Sequence, residues 1–165
     1  MKTLIITISM LFIAAISLAQ STVSINDFEI LNNTNWKGTL TYLDYQSGKT
    51  VPVSTTMQIG VTDKAIEQDI QYTWEPNKNV RTKTKIKKNG RYLGKQKVIS
   101  KIIKEDGTVI LLTSYEGKDD NKKATMFFTY EFNNNNYKVT KEVQFDGSNE
   151  RFMRNNYNYK KNLVK

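Results

Sequence analysis

The stretch ATMFFTYEFNNNNYKVTKEVQF, residues 124–145, determines the fold class that we predict for this chain. In its first half every second side chain is apolar or aromatic, and a period of two is typical of a half-buried β-strand. One face of that strand carries Ala124, Met126, Phe128, Tyr130 and Phe132. The second half repeats the pattern, with Tyr137, Val139, Val143 and Phe145 on one face. The asparagine loop between them, residues 133–136, is too short for a parallel crossover, so the two strands pair antiparallel.

The same alternation recurs from Trp36 onward, with short turn-like connections between the apolar runs. The only helical candidate is VSINDFEILNN, residues 23–33, in which Asn26 or Asp27 caps one or two turns. Since no helix is available as a crossover, we predict an all-β fold: a single antiparallel up-and-down β-barrel of about nine or ten strands with a short N-terminal helical turn. An antiparallel β-sandwich is the alternative, but the sequence offers no long Greek-key return.

Residues 1–19 have the order of a secretory signal peptide. Lys2 is followed by the apolar run Leu4–Ile16 and by the small-x-small site Ser17–Ala19. A retained membrane anchor is the alternative, but the apolar run is shorter than the roughly 20 residues of a spanning helix. We therefore expect residues 20–165 to form a single exported β-barrel domain, soluble and periplasmic or secreted. Without cysteine it is not a Cys-anchored lipoprotein.

The composition excludes several chemistries, because the chain has no cysteine and no histidine. Ser-His-Asp and Cys-His catalysis, thiolate or imidazole metal sites and His-ligated haem all need those residues. Carboxylates such as Asp44, Asp63, Asp69 and Glu142 fall on predicted outer faces or turns, and no spacing marks an acid–base pair. We expect a protein that is not an enzyme and that has no cofactor.

Basic residues are concentrated in KTKIKKNGRYLGKQK, residues 83–97, and the chain carries a net charge of +9. A three-residue loop at Lys88–Gly90 sets Lys87 opposite Arg91 and separates apolar from charged residues. The predicted outer face then carries Arg81, Lys83, Lys85, Lys87, Arg91, Lys95, Lys97 and Lys101. It is either a solvated barrel face that also prevents edge aggregation, or a surface for an anionic envelope component. Sequence-specific nucleic-acid binding is not expected, since Tyr92 is the only aromatic residue there.

Residue parity also predicts which side chains point into the barrel. The ligand-binding candidates are Tyr42, Tyr72, Trp74, Tyr130, Lys141 and Tyr157. Pairing Val143 with Met153, Lys141 with Asn155 and Val139 with Tyr157 turns the Lys141 ammonium inward and sets Glu142 opposite Arg154 on the outer face. A buried charge needs a partner, and the anionic head group of a ligand would be one. The alternative is that Lys141 lies near an open rim and reaches water.

The run TVILLTSYE, residues 108–116, is apolar on both faces. We expect an outward cluster of aliphatic side chains: Ile99, Ile103, Ile110 and Leu112. The cluster is either covered by Phe28 and Leu31 of the N-terminal turn or is a contact surface for a homodimer or another partner.

Trp36-x-Gly38, preceded by a short helical turn, resembles the first strand of calycin barrels, the lipocalin and fatty-acid-binding-protein group. That resemblance implies an exported, lipocalin-like, non-catalytic binding protein for a small apolar or anionic amphipathic ligand. The alternative is a filled barrel that binds an envelope component through its outer patches. The chain lacks the histidine of haem-binding relatives. Its Arg154-Asn155-Asn156-Tyr157 is one residue longer than the Arg-x-Tyr of fatty-acid binders.

Overall fold

The computed structural model describes residues 21–162, so the predicted signal peptide lies outside the described residues. A 3-10 turn, η1 (Ile25–Leu31), comes first, and its N-cap is Ser24 rather than Asn26 or Asp27. A second 3-10 turn, η2 (Pro76–Lys78), lies between the third and fourth strands. The strands are β1 (Thr34–Leu43), β2 (Thr50–Val61), β3 (Ile66–Tyr72), β4 (Val80–Thr84), β5 (Ile86–Lys87), β6 (Tyr92–Leu93), β7 (Gln96–Ile103), β8 (Val109–Asp119), β9 (Lys122–Phe132), β10 (Asn136–Phe145) and β11 (Phe152–Lys161).

The strands form one 11-stranded sheet in the order β4-β3-β2-β1-β11-β10-β9-β8-β7-β6-β5, and the paired neighbours are antiparallel. The two edge strands, β4 and β5, are consecutive in the chain and are separated only by Lys85. The Gly94 N–H donates to the Lys85 carbonyl oxygen at 2.8 Å, beside this junction. The sheet therefore curves into a nearly closed up-and-down barrel, which confirms the predicted fold class.

One end of the barrel, which we call the lower end, is filled by packed side chains. The η1 turn lies across it, and the ring of Phe28 stacks on Phe132 with centroids 5.4 Å apart. Phe28, Leu31 and Phe132 are 4 %, 1 % and 0 % exposed. The predicted helical turn therefore seals the lower end, and Phe28 and Leu31 do not cover the outer aliphatic cluster.

The Trp36-x-Gly38 motif has a packing role at this end. Trp36 is buried, and its indole N–H donates to Thr34 Oγ1 at 2.8 Å. Gly38 pairs with Tyr159, and a Cβ at Gly38 would lie 2.8 Å from both the Tyr159 Cα and its ring atom Cδ1. The motif therefore combines a buried ring with a position where only glycine leaves room for the neighbouring strand β11.

The predicted register of the basic hairpin is wrong. Lys87 pairs with Tyr92 rather than with Arg91, because Lys88, Asn89 and Gly90 all have positive φ and widen the loop to residues 88–91. The hairpin ends after two pairs, since the chain reverses again at residues 94–95 and β6 pairs with β7. Strand β4 pairs with β3 instead, and Arg81 and Lys83 lie opposite Asp69 and Glu67.

A β-bulge at Ile99 reverses which side chains of β7 face inward between that residue and the lower end of the barrel. Lys101 now pairs with the fully buried Leu111 and faces inward, where its ammonium binds Asp27 at 2.9 Å. It therefore does not belong to the outer basic face. By the same parity change Ile102 faces outward beside Ile110, and Ile103 takes the inward side at the lower rim. Ile102 therefore replaces Ile103 in the aliphatic cluster, and a role of that cluster in dimerisation stays a prediction.

Candidate ligand chamber

Above the packed lower end, many inward side chains are only partly buried, and Ala124, Met126 and Val143 form a second, smaller buried cluster there. Leu40 and Val53 pair across β1 and β2, and Leu40 also pairs with Tyr157 of β11. On the facing wall, Phe128 pairs with the buried Thr113, so it also points inward. Because such residues point into the barrel and yet remain partly exposed, water reaches the inner wall here. We call this space the upper chamber and define it by Leu40, Tyr42, Val53, Tyr72, Tyr115, Phe128, Tyr130, Val139, Lys141, Asn155 and Tyr157.

Aromatic rings and neutral hydrogen-bonding groups line the chamber. The hydroxyls of Tyr72 and Tyr157 lie 2.8 Å apart. Gln96 Oε1 accepts hydrogen bonds from Thr113 Oγ1 at 2.6 Å and from the Tyr130 hydroxyl at 2.9 Å. Burial raises the pKa of Tyr130 to about 12. Tyr130 is therefore neutral near pH 7, and the chamber combines apolar surface with a few polar groups, as small-molecule sites do.

A network of charged side chains crosses the upper end of the barrel. The Lys141 ammonium contacts Asp119 Oδ1 at 2.5 Å, and Arg154 Nε lies 3.4 Å from Asp119 Oδ2. Tyr45, in the loop after β1, donates its hydroxyl proton to Asp119 Oδ2 at 2.5 Å. The Arg154 guanidinium also stacks 4.2 Å from the Tyr45 ring centroid and donates to the Leu43 carbonyl oxygen. The network places two cations around one carboxylate.

Burial by itself would raise the pKa of Asp119, because desolvation disfavours the carboxylate. Hydrogen bonds from Lys141 and Tyr45, together with the charges of Lys141 and Arg154, outweigh burial and hold that pKa below its usual value. Asp119 is therefore ionised at neutral pH and neutralises one of the two cations. Counted over these side chains alone, the network has one more positive than negative charge in a partly buried position, and the Asp44 carboxylate outside it also interacts with the charge of Arg154.

A β-bulge in the last strand pair allows Arg154 to join this network. Lys141 pairs with Asn155 and Val139 with Tyr157, as predicted from parity. Glu142 then pairs with Met153 rather than with Arg154, so Arg154 is the extra residue of the bulge. The bulge therefore accommodates the additional residue between Arg154 and Tyr157, and both of these side chains are directed to the interior of the barrel.

The structure brings most of the predicted ligand-binding residues together. Tyr42, Tyr72, Tyr130, Lys141 and Tyr157 all line the upper chamber. Their binding role stays a prediction.

Trp74 does not join them, because it lies beyond the end of β3 and is 81 % exposed. The strand stops at Tyr72, whose N–H donates to Asn79 Oδ1, and η2 begins at Pro76. The predicted inward position of Trp74 is therefore wrong.

The predicted basic face is divided between paired and free cations. Arg81 binds Asp69 at 2.5 Å and Lys83 binds Glu67 at 2.6 Å. Four further members are outward and exposed, with no carboxylate within 4.0 Å among residues 21–162: Lys85, Lys87, Arg91 and Lys97. Lys95 is also exposed and has no such carboxylate, but its ammonium lies 3.9 Å from the ring centroid of the inward Tyr115.

Sequence reasoning missed Asp119, Arg154, Tyr45 and Gln96. Asp119 stands in the polar run GKDDNKK, residues 117–123, which has the composition of a solvated turn. Arg154 was predicted to lie outside, opposite Glu142. A signal for Arg154 did exist, because its spacing from Tyr157 differs by a single residue from an inward pair, and a bulge supplies one residue.

Five depressions of about 220 to 500 Å³ lie elsewhere on the described part of the chain, and none of them is lined by the residues of the upper chamber. We place the candidate site in the upper chamber because of the side chains that the strands bring together there. Within residues 21–162 no helix is long and apolar enough to cross a membrane. The same residues contain no cluster of three acidic, histidine or cysteine side chains able to hold a metal ion.

No protein-family model matches the chain, and no curated protein matches its sequence. Among solved structures, an S-type phycobiliprotein lyase from Guillardia theta is similar at 12 % identity and a TM-score of 0.47, over 87 % of this chain and 95 % of that one. A protein of unknown function from the DUF3598 family of Nostoc punctiforme is similar at 15 % identity and a TM-score of 0.40, over 86 % of this chain and 50 % of that one. The relation to calycin barrels that the Trp36-x-Gly38 resemblance implies stays a prediction.

Proposed function

We propose that this chain is an exported, non-catalytic binding protein that holds a small anionic amphiphile in its upper chamber. The observation that carries the proposal is the contrast between the two ends of the barrel. The lower end holds the large buried cluster, whereas the upper half has only the small buried cluster of Ala124, Met126 and Val143, and its inward aromatic rings stay partly exposed beside the charged network. An apolar tail against the rings and an anionic head at the network match these two surroundings.

Arg154 is the residue that we expect to bind the head group. Lys141 already has a carboxylate at 2.5 Å, whereas Arg154 lies at 3.4 Å from the same residue. A guanidinium has five N–H donors in a planar fork, so it can bind an incoming carboxylate while it keeps its contact with the Leu43 carbonyl. Removing Arg154 leaves the Lys141–Asp119 pair charge-balanced, which makes the substitution a clean test.

The test is equilibrium binding of cis-parinarate, a fluorescent long-chain carboxylate, and of its uncharged methyl ester. We expect the wild-type protein to bind both, and Arg154→Met to weaken cis-parinarate by roughly 10- to 100-fold, the loss of one charge-assisted hydrogen bond. The ester should bind both proteins equally. An equal loss for acid and ester would contradict a head-group role.

A second pair of variants tests whether the chamber is the site. Val53 faces inward opposite Leu40, and the next residue, Ser54, is exposed on the outer face. Val53→Trp should fill the chamber and abolish binding, whereas Ser54→Trp should leave it unchanged. Binding that survives Val53→Trp would place the ligand elsewhere. Native mass spectrometry of the protein from the exported fraction would show what it carries in the cell.

A second candidate function rests on the four free outward cations of the basic face, Lys85, Lys87, Arg91 and Lys97. They would bind an anionic envelope surface, and that binding should fall steeply with salt. Vesicles that contain phosphatidylglycerol are a direct probe. Reversal of Lys85, Lys87 and Lys97 to Glu should abolish vesicle binding, while an unchanged affinity would leave only a solvated face.

A further inference from the structure

The wall of the barrel is incomplete above the turn at residues 94–95. Residues 80–84 of β4 pair with β3 on one side, and within residues 21–162 no strand pairs with their other side. On the facing edge, β7 reaches only as far as the pair Lys97–Ser114. Residues 115–119 of β8 continue upward and pair only with β9 in the described part of the chain. The edges of β4 and β8 therefore face each other across a gap, which we call the lateral window.

The size of the window follows from the strand count. At the lower end, β6 and β7 lie between β5 and β8, which separates β5 from β8 by three strand spacings. At the usual spacing between neighbouring strands, the backbone axes of β4 and β8 are then about 14 Å apart. An alkyl chain is narrower than the space between two backbones at that separation.

A row of aromatic rings leads from the window into the upper chamber. Tyr115 stands at the β8 edge, its ring stacks on Phe128 at 5.8 Å, and Phe128 stacks on Tyr130 at 6.4 Å. On the opposite edge, the buried hydroxyl of Thr82 has no hydrogen-bond partner among the described residues. Thr82 pairs with Gln68 on the inward side of β3, so this free polar group belongs to the inner wall. The window thus opens onto an apolar path with an unused hydrogen-bonding group beside it.

Lys95 stands at the bottom of the window and covers the first ring of this row. Its ammonium lies 3.9 Å from the centroid of Tyr115, and no carboxylate lies within 4.0 Å of it among the described residues. A cation–π contact at an exposed site is weak, so an anionic group can take the ammonium away from the ring. That exchange would uncover Tyr115 at the moment when the ammonium binds an anion.

The upper end of the barrel is a poorer route, because the network of Tyr45, Arg154, Asp119 and Lys141 extends across it from the β1–β2 loop to β8. We propose that an anionic amphiphile enters and leaves the upper chamber through the lateral window, and that Lys95 is the site where its head group first binds. This inference rests on the proposed function, since it names the route to the same chamber.

The experiment compares two single cysteines, which are unique because the chain has no native cysteine. Lys95→Cys lies at the window, and Gln46→Cys lies in the exposed β1–β2 loop at the upper end. Each variant is labelled with the same bulky maleimide, and the association and dissociation of cis-parinarate are followed by stopped-flow fluorescence. We expect the label at position 95 to slow both rates at least tenfold and to leave Kd within about twofold, because an obstructed route changes rates and not the bound state. The label at position 46 should change neither rate.

Unlabelled Lys95→Met isolates the charge. It should slow association of cis-parinarate several-fold at low salt and leave association of the methyl ester unchanged. Slowing by the label at position 46 but not at position 95, or equal rates for Lys95→Met and wild type at low salt, would overturn the window. Wild-type protein that binds neither probe would instead refute the proposed function itself.

Discussion

The charged network at the upper end allows a quantitative prediction, because its two least exposed charged side chains, Asp119 and Lys141, can be replaced separately and together. Asp119 and Lys141 are 10 % and 16 % exposed, and their charged atoms lie 2.5 Å apart. Lys141→Met removes one charge-assisted hydrogen bond and leaves Asp119 with Arg154 and Tyr45, so we expect a loss of about 1.5–3 kcal/mol in the free energy of unfolding. Asp119→Asn leaves two half-buried cations without an anion, so we expect a larger loss of about 3–5 kcal/mol.

The double variant, Asp119→Asn with Lys141→Met, should be more stable than the sum of the single losses predicts. It keeps only the Arg154 cation, which retains the Leu43 carbonyl and the Tyr45 ring. We therefore expect a coupling energy of about 1–3 kcal/mol, as is found for contacting charges that share a network. Urea unfolding of the four proteins measures it, and equal m values establish that each variant unfolds from a similar state.

The chain offers a matched control in Arg81 and Asp69. Their charged atoms also lie 2.5 Å apart, but the side chains are 80 % and 25 % exposed. Solvent screening should limit that coupling to about 0.2–1 kcal/mol. A coupling between Asp119 and Lys141 no larger than the one between Asp69 and Arg81 would refute the argument that burial makes the network strong.

Three further predictions concern other parts of the molecule. Gly38→Ala should unfold or strongly destabilise the barrel because its Cβ would collide with the backbone of β11, whereas Gly60→Ala, where nothing lies within 4 Å, should be nearly neutral in thermal denaturation. The lowered pKa of Asp119 means that its contribution to stability is complete above the pKa of the unfolded chain and is lost as pH falls through the folded-state pKa, so Asp119→Asn should flatten the acid limb of the stability–pH curve. Trp74 is 81 % exposed and Trp36 is 1 % exposed, so Trp74→Phe should remove the acrylamide-quenchable, red-shifted part of the tryptophan emission; emission that stays quenchable would contradict the sealed lower end.

Strand alternation was sufficient to predict the fold, because each run buries one face against a common interior. The inward set of β9, the antiparallel pairing of β9 with β10 and the pairs Lys141–Asn155 and Val139–Tyr157 all follow from a period of two. Such reasoning extends along a strand as far as the pairing stays regular. Its success for β8 to β10 reflects long strands joined by short turns.

The errors begin where one extra residue enters a strand or a loop. The bulge at Ile99 transfers Lys101 to the interior, and the positive φ angles of Lys88, Asn89 and Gly90 lengthen the hairpin loop. Neither event has a local signal in the sequence, since Ile99 is flanked by ordinary strand residues and Asn-Gly suits loops of several lengths. A single added residue reverses the side chains beyond it, so the bulge at Ile99 moved Lys101 from the predicted outer face to the interior, while the longer hairpin loop changed the pairing partners of the residues that stayed outside.

The two bulges also suggest why the ends of the barrel differ in function. Each bulge brings a cation to a carboxylate: Lys101 to Asp27 at the lower end, and Arg154 to Asp119 at the upper end. At the lower end one cation meets one carboxylate, and the pair fastens the η1 turn that seals the barrel, so its charge is already balanced. At the upper end Arg154 joins a carboxylate that Lys141 already neutralises, which leaves one positive charge beside half-exposed aromatic rings. A half-buried cation in excess costs stability unless an anion accompanies it. On the proposed function, this anion is the head group of the ligand, and the ligand binds at the upper end for this reason.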